Sequence, residues 1–247
     1  MLSRLRFLPQ DLLARLPAAL PGLCALCGSN AAGSLCGGCH ARHFGNGQPR
    51  CRQCAALLPG SAREDTVCGE CLKKPPAFDA SIVAVDYAPP VDQLVLALKF
   101  GHRLALAPLL ARLLHDAILQ AGGSALPEVL TAVPLGTRRL RERGFNQALE
   151  IAKPLSRVLG VPLDASVAAR VRETQAQSLL PPDERHRNVR HAFVVPGNAA
   201  ERLGGKHVGV VDDVITTGET LNELAACLKR FGAARVSNFV FARTSHK

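Results

Sequence analysis

Val208-Gly209-Val210-Val211-Asp212-Asp213-Val214-Ile215-Thr216-Thr217-Gly218-Glu219-Thr220 joins an apolar block, an acidic pair and a Thr-Thr-Gly turn in one short run. Val208, Val210, Val211, Val214 and Ile215 predict a central parallel strand, because a strand covered on both faces reads as a nearly continuous β-branched run. Asp212 and Asp213 then fall at its carboxyl end, the edge where open α/β sheets bind ligands, and neither is expected in the core. Two carboxylates so placed can accept hydrogen bonds from a vicinal diol or hold a hydrated divalent cation. Gly218 can take positive φ in the turn that follows, and a turn of this kind before a helix N-terminus cradles an anion.

The next helix is predicted from near Thr220, with Leu221, Leu224, Ala225 and Leu228 at helical spacing, and ends at Phe231-Gly232 before a strand from Arg235 to Phe241. The unit is β-loop-α-β. A strand ending in Asp-Asp also occurs in nucleotide hydrolases, but the sequence has no Gly-x-x-x-x-Gly-Lys-Ser/Thr loop, and Gly205-Lys206-His207 is not one. The run resembles the 5-phosphoribosyl-1-pyrophosphate (PRPP) motif of type I phosphoribosyltransferases at every position.

Upstream, Ser81 to Tyr87 alternates as a strand, Val91 to Phe100 and Ala105 to Gln120 have helical periodicity, and Val129 to Val133 reads as a buried strand. Strands alternating with helices imply a parallel α/β sheet. Gly136 to Gln147 is expected as a cationic loop carrying Arg138, Arg139, Arg141 and Arg143, opening on the same sheet edge as the Thr-Thr-Gly turn. Taken alone, such a cluster is as readily a solvated surface; opposite a phosphate cradle it suits a pyrophosphate, whose oxygens arginine grips in pairs. Asn146 begins a helix through Leu159 in which Pro154 is expected to introduce a kink. Arg170 to Phe193, polar and basic around Pro181-Pro182, reads as a lid or as an ordinary surface excursion.

Eight of the nine cysteines form four Cys-x-x-Cys pairs: Cys24/Cys27, Cys36/Cys39, Cys51/Cys54 and Cys68/Cys71. Such a turn presents two thiolates to one metal, so four turns make two S₄ shells of the structural zinc type. The competing reading is a disulfide framework. Adjacent pairing leaves ribbon loops of reasonable length, with crossed pairing as the alternative. His40 and His43 read as surface residues, and Cys227 as a small core residue. Lys73-Lys74-Pro75-Pro76 reads as a stiff linker. The division expected is therefore an N-terminal helical segment over 1–22, a double zinc ribbon over 23–74 and an α/β domain over 78–247.

The formal net charge is +10. Two zinc ions on eight thiolates would lower it to about +6, still basic. Arg4, Arg6, Asp11 and Arg15 interrupt the leucines of the first segment, so no signal peptide or transmembrane segment is expected, and the location implied is cytoplasmic. The sequence holds no tryptophan and one tyrosine, which limits stacking on single-stranded nucleic acid. After Phe241 only Ala242 to Lys247 remain, and no pocket for an acceptor is legible.

Taken in order, the Cys-x-x-Cys pairs, Lys-Pro-Pro, Tyr87-Ala88-Pro89-Pro90, Leu98-Lys99-Phe100, Val133-Pro134-Leu135, Arg143-Gly144-Phe145-Asn146-Gln147 and the Asp-Asp motif resemble the ComF family of bacterial competence-related proteins over nearly the whole chain. The resemblance implies a double zinc ribbon fused to a type I phosphoribosyltransferase-like parallel sheet flanked by helices, in a protein linked to uptake or processing of transforming DNA. It implies Asp212 and Asp213 on ribose hydroxyls or on Mg²⁺, Thr216, Thr217, Gly218, Glu219 and Thr220 around the 5-phosphate, and Arg138, Arg139 and Arg143, with Asn146 and Gln147, toward the pyrophosphate. Thr174, Gln177, Arg185 and Asn188 match the polar pattern of the family's flexible loop. Two structural Zn²⁺ ions, Mg²⁺ with PRPP, single-stranded DNA and proteins of the uptake machinery are the cofactors and partners implied. The resemblance leaves open a transferase acting on a base or amine, a PRPP-sensing adaptor, and a zinc-ribbon nucleic-acid binder.

Overall fold

The computed structural model describes residues 22–45, 47–63, 65–122, 125–171 and 191–245. The segment expected as helical over 1–22, apart from Gly22, and the positions Thr174, Gln177, Arg185 and Asn188 lie outside the described residues, as does most of the stretch read as a lid. The chain divides into two compact units, Met1–Asn46 and Gly47–Lys247. The four-cysteine groups read together as one module over 23–74 are thus distributed over both.

In the first unit, β1 (Gly22–Leu23) pairs antiparallel with β2 (Asn30–Ala31), and α1 (Gly37–Phe44) follows. Its turns are tied by the backbone: the Cys24 N–H donates to the Ser29 carbonyl at 2.8 Å, and the Gly28 N–H donates to the Cys24 carbonyl at 2.9 Å. Cys36 caps α1 through its sulfur, which accepts from the Cys39 N–H.

The second unit opens with α2 (Gly69–Lys73), followed by β3 (Ala80–Asp86), α3 (Asp92–Lys99) and, after a 3₁₀ turn over Leu104–Leu106, α4 (Ala107–Gln120). Next come β4 (Val129–Ala132), α5 (Thr137–Arg143) and α6 (Gln147–Leu159). The short β5 (Ala169–Arg170) pairs antiparallel with β6 (Phe193–Val194), and α7 (Ala200–Leu203) leads to β7 (His207–Ile215), α8 (Glu219–Arg230) and β8 (Arg235–Arg243). The sheet order is β3-β8-β7-β4 and every pair is parallel, the α/β architecture expected from the alternating pattern.

Both faces of this sheet are covered, which is why β7 and β8 are apolar almost throughout. α4 packs on β3 and β8 while α6 packs on β7 and β4, and the two helices contact one another. Strand alternation places Val208 and Val210 of β7 with Val236 and Val240 of β8, and all four join one core cluster with Leu221, Leu224, Ala225 and Leu228 of α8. Gly209 has no room for a side chain: an added Cβ would lie 2.5 Å from Leu130 Cδ2 and 2.8 Å from Phe239 Cε2. Pro154 lies inside α6, where its missing N–H forfeits one helical hydrogen bond without ending the helix.

The second four-cysteine group is built into this body. The Ser81 N–H of β3 donates to the Arg52 carbonyl at 3.1 Å, and Gln53 Nε2 donates to the Phe78 carbonyl at 3.3 Å. Arg50 pairs with Asp86 at 3.0 Å and also reaches the Ala55 carbonyl at 3.2 Å. Ala55 is 1% exposed and, with Phe78, Ile215 and Leu221, belongs to the core cluster, against which Cys54 packs.

Candidate functional site

Because all four strands run parallel, their carboxyl ends open on one edge. β4 and β7 are neighbours, and the Val133 N–H donates to the Val211 carbonyl at 3.0 Å, so the segment after β4 and the Thr-Thr-Gly turn leave the sheet side by side. Gly218 adopts φ +83°, and an added Cβ would make only ordinary contacts with Ile215 and Phe78, so backbone conformation is what requires glycine here. α8 begins directly after it, with Gly218 itself as the N-cap residue, so the amides of its first turn open on the turn. The buried Thr217 Oγ1 has no hydrogen-bond partner in the protein. A helix N-terminus beside an orphaned hydroxyl is a good seat for a phosphate.

The acidic pair is more enclosed than strand-end carboxylates were expected to be. Asp213 is only 6% exposed, and its Oδ2 lies 2.9 Å from Lys99 Nζ of α3. Asp212 is partly buried, and its Oδ1 accepts from the Asp213 N–H at 2.9 Å. Burial first, and then the neighbouring Asp213 charge, push the Asp212 carboxyl up to about 8. One carboxylate is thus matched by a lysine while the other favours its proton until a cation or hydroxyl donors arrive. This donor set fits a hydrated divalent cation or the diol of a ribose.

The cationic segment differs from the expected loop. Thr137 to Arg143 is helical, from Gly136 in extended conformation to Gly144 at φ +76°. The seven residues include no breaker, and Arg138 stands 3.8 Å from Glu142 one turn on, so charge density concealed a helix. Arg138 is exposed, Arg139 and Arg143 are half-buried, and the Arg143 guanidinium lies 5.3 Å from the centre of the Phe100 ring. Asn146 uses both polar ends internally: Nδ2 donates to the Val133 carbonyl at 3.0 Å, and Oδ1 caps α6 by accepting from the Leu149 N–H. Gln147 is 2% exposed, with Nε2 unpartnered. Asp212, Asp213 and the Thr216–Thr220 turn thus follow one another from β7, and the arginine helix follows from the neighbouring β4.

Sequence reasoning assigned no role to Lys99, although it ends a helix whose apolar stripe is Leu94, Val95 and Leu98. Tyr87, quoted there only within the Tyr-Ala-Pro-Pro run, was likewise given no role, and burial raises its hydroxyl above the ordinary range with Lys99 opposing. A single lysine at the end of an apolar stripe is a weak signal. Only the fold shows which carboxylate it meets.

The cysteines gather as two groups, Cys24, Cys27, Cys36 and Cys39, and Cys51, Cys54, Cys68 and Cys71, with the sulfurs of each group within 4.8 Å of one another. This is the adjacent pairing. Cys27 to Cys36 and Cys54 to Cys68 both measure 3.7 Å, against the edge of about 3.8 Å that a tetrahedron with 2.3 Å metal–sulfur bonds requires. All nine cysteines are free thiols, and His40 and His43 belong to neither group. Four thiols this close cannot all ionise unaided. A hydrogen bond from Cys54 brings the Cys51 thiol down to about 4, while burial and the Cys51 thiolate push Cys71 up to about 12. In the first group burial opposes, but backbone N–H groups of Cys27 and Cys36 bring Cys24 down to about 6, and Cys39 is pushed up to about 12, by burial first. A divalent ion would displace the remaining protons. Near the second group lies Arg243, 5% exposed with Nη1 unpartnered, whose charge opposes the rise in the Cys54 thiol. Cys227 is buried in the core as expected.

Residues 146–247 match the family described as phosphoribosyl transferase domain. The chain is 40% identical over 230 residues to the DNA utilization protein YhgH of Salmonella typhimurium, covering 91% of this chain and 98% of that protein. It is 34% identical over 226 residues to competence protein F of Haemophilus influenzae, covering 89% and 96%. The chain belongs to the ComF family. A further member, competence protein ComFC of Bacillus subtilis, is 37% identical over 117 residues, or 47% of this chain and 45% of that one. The family is linked to competence and DNA uptake, and this ComF chain carries its phosphoribosyltransferase domain together with two four-cysteine clusters. Among solved structures it is similar to the glutamine PRPP amidotransferase from B. subtilis complexed with ADP and GMP, at 21% identity and a TM-score of 0.34 over 55% of this chain and 25% of that one. It is also similar to the purine phosphoribosyltransferase from Pyrococcus horikoshii, at 18% identity and a TM-score of 0.30 over 68% and 89%. Among the described residues no helix is long and apolar enough to cross a membrane.

Proposed function

We propose that this ComF-family chain binds PRPP with Mg²⁺ at the carboxyl edge of β7 and transfers its phosphoribosyl group to an acceptor nitrogen, releasing pyrophosphate. The observation that carries this reading is the continuity of one segment: a half-neutralised acidic pair at Asp212 and Asp213 runs straight through the left-handed Gly218 into a helix N-terminus. Thr216, Thr217, Gly218, Glu219 and Thr220 hold the 5-phosphate. Asp212 and Asp213 accept from the ribose hydroxyls, and Lys99 fixes the Asp213 carboxylate while they do so. Arg138, Arg139 and Arg143 receive the leaving pyrophosphate, with Asn146 and Gln147 setting the start of α6 beside them. Bound Mg²⁺ would supply charge neutralisation on the pyrophosphate. In the transfer the bond from C1 to the pyrophosphate oxygen breaks with its electron pair going to pyrophosphate, the acceptor nitrogen bonds to C1, and the nitrogen's proton leaves to solvent.

Both cysteine clusters hold structural zinc in this reading, which the 3.7 Å sulfur separations support. The names of the relatives and the basic net charge support a role in handling transforming DNA, with single-stranded DNA and uptake-machinery proteins as partners; the location that goes with this reading is cytoplasmic. Those names also favour a second reading, in which PRPP is sensed without transfer by a DNA-binding adaptor. Incubation with PRPP, Mg²⁺ and a panel of base and amine acceptors, with pyrophosphate measured, separates the two. Release that depends on both Mg²⁺ and acceptor is expected. Saturable PRPP binding without release under any acceptor would favour the sensor, and no PRPP binding would overturn both.

A further inference from the structure

The helix end that delivers Lys99 to Asp213 also delivers an aromatic ring to the rim of the same edge. Phe100 directly follows Lys99 and is 64% exposed. One of its faces carries the Arg143 guanidinium at 5.3 Å. Two residues on, His102 holds a left-handed backbone at φ +52°, uncommon for a residue with a side chain, and its imidazole meets the Phe145 ring edge-on at 5.6 Å. Phe100 and His102 come from the end of α3, and Arg143 and Phe145 from the end of α5, so the two contacts clasp these segments together.

We infer that Phe100, backed by Arg143 and flanked by His102 and Phe145, is a stacking seat for an unpaired nucleobase. Three features select that ligand class. A guanidinium on one face of a ring leaves the opposite face for a second flat group, giving a layered stack of cation, ring and base. The exposed His102 supplies ring nitrogens that can donate to or accept from the edge of a heterocycle, which a purely apolar patch would not offer. The seat also adjoins the residue that grips Asp213, so a base resting on Phe100 lies beside the edge at which the ribose is proposed to sit. An aliphatic amine acceptor would gain little from such a stack. As an acceptor subsite the seat rests on the phosphoribosyl-transfer reading; as a stacking seat it does not.

The sequence provides an unusually clean probe because it contains no tryptophan. In Phe100→Trp the new indole is the sole tryptophan, and its emission reports stacking directly. The titrants are adenine, guanine, cytosine and uracil, a short oligothymidylate, and ribose 5-phosphate as a baseless control, each with and without PRPP and Mg²⁺. Saturable quenching by free bases, tightened when PRPP and Mg²⁺ are present, is the expected result and marks an acceptor subsite. Quenching by the oligonucleotide alone supports the seat with a DNA strand as the source of its base. Equal quenching by ribose 5-phosphate, or none by any titrant, overturns the inference. In parallel, calorimetry with the otherwise unaltered chain compares base binding to wild type and Phe100→Ala: about a tenfold loss is expected, and unchanged base affinity contradicts the seat. Thermal melts show whether Phe100→Ala folds. If PRPP binds wild type normally while neither a free base nor the oligonucleotide binds, the seat fails and the phosphoribosyl site stands.

Discussion

The two Cys₄ knuckles look alike in the sequence and differ in what surrounds them. In the first, the residue after Cys27 is Gly28, at φ +71°, where an added Cβ would meet nothing within 4 Å. In the second, the corresponding residue after Cys54 is Ala55, at φ +60°, and its methyl group is buried in the core cluster beneath the sheet. A left-handed alanine costs about 1 kcal/mol that glycine would avoid. The second knuckle carries that strain because its turn also serves as core packing, with Arg50 and Arg52 fastened to β3 and Arg243 buried nearby. The first knuckle belongs to the smaller compact unit. The other is a wall of the sheet body, and Phe78 carries its contacts on toward Gly218.

The largest consequence concerns loss of each cluster. Cys54→Ser should lower the melting temperature of the sheet body by roughly 10 °C or more and weaken PRPP binding, because cluster and core share residues. Cys27→Ser should leave that transition within about 2 °C of wild type, since its cluster belongs to the other compact unit. Zinc analysis of each variant should fall from two ions per chain to one. Equal destabilisation by both variants would erase the distinction between the knuckles.

A second contrast is in pH response. Asp212 is held at about 8 when the site is empty, against an ordinary 3.8, so the folded chain keeps a proton that the unfolded chain releases. Its contribution to stability is complete below about pH 3.8 and is lost as pH rises through about 8. Binding of a diol or cation requires the carboxylate, so PRPP affinity should rise with pH toward 8, by at most about tenfold per unit, and then level off. Calorimetry from pH 6 to 9 checks this, and Cys27→Ser should follow the same profile. A flat or falling profile would remove Asp212 from the ligand set.

The smallest effects test the turn residues themselves. Gly28→Ala should destabilise the first knuckle by about 1 kcal/mol, through backbone conformation alone. Ala55→Gly should relieve the same strain yet forfeit a buried methyl, leaving stability within about 1 kcal/mol of wild type. Chelator titrations of zinc release read both. No loss at Gly28, or a change well beyond about 1 kcal/mol at Ala55, would contradict this reading of the two turns.

Much of the sheet body was legible because its signals are local. Valine-rich β7 reads as a buried strand, the Gly218 turn announces its own backbone, and Asn146 caps α6 where its side chain predicts. What escaped depends on contacts between distant segments. Nothing around Lys99 indicates Asp213, and nothing in Cys-x-x-Cys distinguishes a knuckle packed on a core from one that is not. The helix over Thr137–Arg143 was hidden for another reason: its arginines were read for charge when their lack of any breaker was the structural signal.

Titration of PRPP with Mg²⁺ at pH 8 into wild type and Asp212→Asn/Asp213→Asn tests most directly whether the segment from Asp212 to Thr220 is a PRPP site. Asparagine is preferred to alanine because Asp213 is buried against Lys99, and an amide keeps its shape there. Saturable binding of one PRPP per chain to wild type is expected, with a loss of at least about 100-fold in the double variant and a cooperative melt retained. Unchanged affinity in a folded double variant would contradict it.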